Sequence, residues 1–189
     1  PTKKMISEIG GNPHGYVMDN QLLWFEKKIN ELNSNSHIDH IFVTIHTPAF
    51  PNGGHAKDDM WYYGNNKIRP TVAGEPVNVG IIERRDELLD IMINKSDKVI
   101  ALLCGDEHNY SRMKLTKNTP IYPEGYKGKK LKVSRPFWQI TNGSAGAPYY
   151  GQQQLPWSES VEKFSTQYAL MLFDIDGERV SLRVINPDT

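Results

Sequence analysis

A single cysteine, Cys104, in a chain of 189 residues excludes an internal disulfide and leaves the redox compartment open. No apolar run approaches the ~20 residues of a membrane-spanning helix. The opening PTKKMISEIGG lacks the apolar core that marks a signal peptide. Neither sign of charge is in excess: Lys plus Arg and Asp plus Glu both number 22. Electrostatics therefore gives no reason to expect a nucleic acid or an anionic membrane surface as partner. No internal repeat or low-complexity tract interrupts the chain. With 38% hydrophobic and 23% charged residues it reads as one globular domain, and its 12 prolines point to long surface loops. The first residue is Pro1 rather than Met, from which we expect a piece of a longer polypeptide.

What is present has a clear rhythm. In DNQLLWFEKKINEL, Leu22, Phe25, Ile29 and Leu32 fall on one helical face, with Asp19 or Asn20 as N-cap. HIFVTIH (40–46) is short, β-branched and apolar, which suits a strand buried on both faces, and Thr47-Pro48 ends it. KVIALLC (98–104) reads the same way and implies a buried thiol at Cys104. Between them lie a Gly/Pro/aromatic loop (48–78) and IERRDELLDIMIN, whose Leu88, Leu89 and Met92 give a second helical face. Strand, helix, strand is a parallel βαβ unit, and the fold class is α/β. The last third is mostly antiparallel, with two alternating runs around the turn-forming Asp176-Gly177. The basic stretch 112–135 reads as a solvated loop. Arg69, Arg84 and Arg85, and the aromatics of WYYGNN and APYYGQQQLPW, fit either packing or a ligand platform, with packing the commoner use.

Chemistry concentrates where the two parallel strands run out. His46 follows the first, and Gly105, Asp106, Glu107, His108 and Asn109 follow the second. Ligands in open α/β sheets gather at the carboxyl ends of strands, so His46 and the pair Asp106/His108 are expected to converge. An extended loop would point residues 106 and 108 the same way, serving two adjacent cations. Imidazole and carboxylate suit zinc, manganese and iron, and a pair of such ions about 3.5–4 Å apart is a known solution for phosphate-ester hydrolysis.

The segments QLLWFEKKI, HIFVTIHTPAF, KVIALLCGDEHNY, ITNGSAGAPYYG and YALMLFDIDGERVSLRVI, in that order, resemble the C-terminal half of the calcineurin-like metallophosphoesterases, particularly the purple acid phosphatase-like members. The resemblance implies the C-terminal half of a four-layer α/β/β/α sandwich with mixed sheets, and a metal-dependent phosphoric-ester hydrolase with a dinuclear site. On it, His46 matches the strand-end histidine that ligates one metal, and His108 matches the last histidine of a GHxH turn, a ligand of the other. Asp106 stands where that turn has its other histidine. This departure favours harder ions such as Mg²⁺, Mn²⁺ or iron, or marks the loss of one ion. His55, nine residues beyond His46, matches a histidine that contacts the substrate phosphate and could donate a proton, the bland alternative being an exposed loop histidine. Asn109 is expected to fix the turn and to border the substrate.

The family's N-terminal DxH, GDxx(D/Y) and GNH(D/E) motifs are missing. GGNPHGY (10–16) resembles the last, but Pro13 intervenes, and His14 reads as a loop residue. Two ions (Fe, Zn, Mn or Mg) would then need ligands from an N-terminal half of the same enzyme or from a complementary chain. The substrate implied is a small-molecule or protein phosphate ester. The contrasting expectation is a module that keeps the fold for interaction or scaffolding and has lost the chemistry.

Overall fold

The apolar stripe of the first amphipathic segment forms helix α1 (Asp19–Ser34) in a computed structural model that describes residues 13–188. Ile29 is buried, with Leu22, Phe25 and Leu32 packed against the core beside it. The cap differs from expectation. Met18 holds the cap position with no side-chain bond, and Asp19, the first helical residue, gives its carboxylate to Arg84 instead. A guanidinium outcompetes uncapped backbone amides for a carboxylate.

The β-branched runs become strands β1 (Ile41–Ile45) and β4 (Val99–Cys104), paired in parallel. The loop between them carries a two-stranded ribbon of β2 (Thr71–Val72) and β3 (Glu75–Pro76), then helix α2 (Ile81–Asn94). Asn66 Oδ1 accepts the amides of Ile82 and Glu83, capping α2 from the loop. At the other end Arg135 donates to the carbonyls of Met92, Ile93, Ser96 and Val99, closing the helix C-terminus. Arg135 thus leaves the solvated basic stretch, as do Lys114 over the Trp138 ring and Lys130 over the Tyr122 ring.

Strands β5 (Tyr110–Leu115), β6 (Phe137–Asn142) and β7 (Val161–Ser165) complete a mixed sheet in the order β1-β4-β6-β5-β7. β6 inserts between β4 and β5, parallel to the first and antiparallel to the second. It therefore belongs to the parallel half of the sheet, although the sequence suggests an antiparallel C-terminal third. The hairpin of β8 (Leu170–Asp176) and β9 (Arg179–Ile185) turns through Gly177-Glu178, one residue later than expected, because the left-handed position at φ +55° is the first loop residue and falls to glycine.

Side-chain alternation along β4 sorts the layers. Leu102 and Cys104 face the core built on α1 and α2, whereas Ala101 and Leu103 face the hairpin residues Met171, Phe173 and Leu182. The architecture is mixed α/β, with two helices on one sheet face and the hairpin on the other. Among the described residues no helix is long and apolar enough to cross a membrane.

Of the ambiguous arginines and aromatics, Arg85, Trp61 and Trp157 are structural. Arg85 is fully buried, donates to Asp86 and to the Ile121 carbonyl, and lies against the rings of Phe50, Trp61 and Tyr122. Tyr122 donates to the other Asp86 oxygen at 2.7 Å. Trp61 and Trp157 meet edge to face at 4.7 Å, and Trp157 donates to the Pro51 carbonyl. Removing one partner of a buried ion pair strands the other. Arg85→Ala should therefore lower the unfolding free energy in urea by about 3–5 kcal/mol; a loss below about 1 kcal/mol would show that the contacts of Arg85 with Ile121 and the surrounding rings do not hold α2 in place.

Candidate metal centre

The register Ile45↔Cys104↔Thr141 brings the carboxyl ends of β1, β4 and β6 to one edge. His46 and the 105–109 turn follow directly, and the Gly105 amide donates to the His46 carbonyl. The turn is tight rather than extended: Glu107 N–H donates to the Gly105 carbonyl and Asn109 N–H to that of Glu107, with Asp106 at φ +64°. The turn must arch over the end of β6, since β6 separates β4 from β5. A Cβ on Gly143, the residue after β6, would lie 2.3 Å from the Glu107 carbonyl oxygen, so only glycine passes beneath.

Glu107, not singled out in the sequence, anchors the site. It is fully buried, and its Oε1 accepts the backbone amides of Asn52, Gly53 and His55 at 2.8–3.2 Å. Burial raises its carboxyl above the ordinary range against the opposing pull of those amides. Asn109 is also fully buried and donates to Asn52 Oδ1 at 2.9 Å. Its expected place beside the substrate gives way to holding the loop, because no part of it faces solvent.

On this frame Asp106 is faced by three imidazoles. His46 Nε2 and His55 Nε2 stand 3.2 and 3.5 Å from Oδ1, and His14 Nε2 stands 3.3 Å from Oδ2. His14 does lie in a turn, as the sequence suggests, but its ring enters the cluster. The closeness of the 13–16 turn to Asp59 delivers it: a Cβ on Gly15 (φ +80°) would lie 2.6 Å from the Asp59 carbonyl carbon. Residues 10–12 of GGNPHGY lie outside the described residues. His55 is held by Asp58, whose Oδ1 is 3.0 Å from Nδ1, leaving Nε2 toward Asp106. His108 is held by the Pro148 carbonyl, 2.6 Å from its Nδ1, and stacks on Tyr150 at 4.1 Å. The His108 and His55 rings are 6.4 Å apart. Both arrangements fix the outer ring nitrogen, as second partners of metal-binding histidines do.

The other residue missed is Asp59. It is fully buried, neither carboxylate oxygen receives a hydrogen bond, and His14 Nδ1 stands 3.4 Å from Oδ1. Burial, then the neighbouring Asp106 carboxylate, pushes its carboxyl up to about 10. His14, His55, Asp59 and Asp106 each offer a ligand atom, all within 4.8 Å of one another. Carboxylate and imidazole donors at this spacing fit a divalent transition cation. Cys104, by contrast, is a buried thiol whose pKa burial raises, and it takes no part.

No protein-family model matches the chain, and no curated protein matches it in sequence.

The Glu107 anchor gives a direct test. Glu107→Ala should lower stability by about 2–4 kcal/mol and speed hydrogen exchange at the amides of Asn52, Gly53 and His55, whereas Glu107→Gln, which keeps an acceptor oxygen, should retain protection. Equal exchange in both variants would remove Glu107 from this role.

Proposed function

We propose that this chain carries the strand-end half of the active site of a metal-dependent phosphoric-ester hydrolase. The observation that carries the reading is the fan of imidazoles around Asp106 at the carboxyl edge of the parallel strands. It is the edge at which α/β sheets build sites, and the chemistry there is a donor set for cations rather than a nucleophile with its base.

On this reading His46, Asp106 and His108 are cation ligands, as the family resemblance implies, with Fe, Zn, Mn or Mg as the ions. Bound cations would neutralise the ester's negative charge and stabilise the oxygens exchanging on phosphorus. The chain's own residues do the positioning. Asp58 fixes the His55 ring so that Nε2 is presented toward Asp106, to a phosphoryl oxygen or to an ion. The Pro148 carbonyl and the Tyr150 ring fix His108 in the same way. His46, 72% exposed, marks the open side from which a phosphate ester of a small molecule or a protein would approach. A second ion would take its remaining ligands from an N-terminal half or a complementary chain. The helices, sheet and hairpin then form the C-terminal half of a four-layer α/β/β/α sandwich. The hairpin already covering the far sheet face supports this.

Protein purified from its natural source should release p-nitrophenol from p-nitrophenyl phosphate, lose this activity on chelation and regain it with Mn²⁺, Zn²⁺ or Fe²⁺. His108→Ala should reduce kcat/KM by at least about 100-fold, the upper range for disturbing a metal site's ligand shell. Turnover indifferent to chelation, or absent with every ion, sets the reading aside.

A further inference from the structure

We infer that His14, His55, Asp59 and Asp106 form a closed four-ligand site for one divalent cation of the zinc class, which clamps the 13–16 turn to the 55–59 loop. The inference stands whether or not the neighbouring groups hydrolyse an ester. It differs from the strand-end set of His46, Asp106 and His108 in three of its four ligands.

Asp59 is the reason to propose it. The Asp59 carboxyl has no exposed surface and no hydrogen bond, with only the His14 ring 3.4 Å from one oxygen, and native structures keep such buried polar groups for a partner. The groups around it add to the problem, since Asp106 and the buried Glu107 bring two more carboxyls to the same corner. A cation is the partner that resolves it, because it accepts two carboxylates at once.

The spacing fits. Bonds of about 2.0–2.2 Å to zinc put tetrahedral ligands roughly 3.3–3.6 Å apart. One donor atom from each of His14, His55, Asp59 and Asp106 lies within 4.8 Å of the others, so small side-chain rotations bring the four onto one ion. Two imidazoles among four donors favour zinc over the all-oxygen preference of magnesium or calcium. His55 has its Nδ1 on Asp58, the arrangement that leaves Nε2 for a metal.

Asp59 and Asp106 both have positive φ, at +52° and +64°, a conformation that aspartate adopts more readily than most residues. Four protein ligands and no open position describe a structural zinc site. That assigns Nε2 of His55 to the ion rather than to the ester, and leaves His46, on the exposed flank of the shared Asp106, for any reactive role.

The test uses the 189-residue chain stripped with EDTA and titrated with Zn²⁺ by calorimetry and with Co²⁺ in the visible. One equivalent should bind tightly, and Co²⁺ should give the intense bands of four-coordinate geometry. Asp59→Asn should weaken Zn²⁺ at least about 100-fold with little change of Tm in chelator, because Asn keeps the size of the buried carboxyl it replaces. His14→Ala, in an exposed turn outside the core, should weaken binding at least about 10-fold, and the exposed His37→Ala should match wild type. The proposal is overturned by no bound ion, by a pale six-coordinate Co²⁺ spectrum, or by Asp59→Asn and His14→Ala binding as tightly as His37→Ala. Co²⁺ binding as expected by this chain, with no chelator-sensitive hydrolysis of p-nitrophenyl phosphate by protein from its natural source, keeps this site and loses the hydrolase.

Discussion

One carboxylate oxygen holds the functional corner together. Glu107 Oε1 collects three amides from a loop more than fifty residues earlier in the chain, and the donors of the 55–59 loop and of the 106–108 turn are placed through that attachment. His55 is on the attached loop, and Asp58 and Asp59 continue it. Asp106 and His108 flank the anchor itself. Hydrogen bonds to a buried charged acceptor are stronger than neutral ones, and leaving the amides without it would strand several buried donors at once. The Asn109 amide on Asn52 reinforces the same seam, and the Tyr150 ring fills the space between His108 and Gly54.

The regular elements were legible because their signals are local. The 3.6-residue stripe of α1, the apolar runs of β1 and β4, and the alternation of β8 and β9 each declare themselves within a dozen residues. His46, Asp106 and His108 were singled out by one further rule, that sites collect where parallel strands end, together with a family resemblance; of the three, Asp106 belongs to the group with His14, His55 and Asp59. His14 and Asp59 obey no such rule. His14 sits behind a proline in a segment that reads as a loop, and its place depends on how closely Gly15 passes Asp59. Asp59 lies in an irregular aromatic loop, and only the folded chain shows it sealed from water. Glu107 was hidden by its setting, since a carboxylate between two candidate ligands reads as another ligand until its amide partners are known.

The insertion of β6 was equally illegible, because nothing local states which strand lies between two others. It changes how the site is understood. The turn between β4 and β5 is not a hairpin but a bridge, and the small residue at 143 is the clearance beneath it. The glycine-rich strand end and the acidic turn are therefore two sides of one close approach.

That bridge has a consequence in time. β4 and β5 are joined by five residues but cannot bond to each other, so the 105–109 arch has no closed form until the strand ending at Asn142 slides in between them. Non-local pairing of this kind is entropically costly to begin and slows folding. On a ribosome, the corner that gathers histidines and carboxylates would stay open while more than thirty further residues emerge.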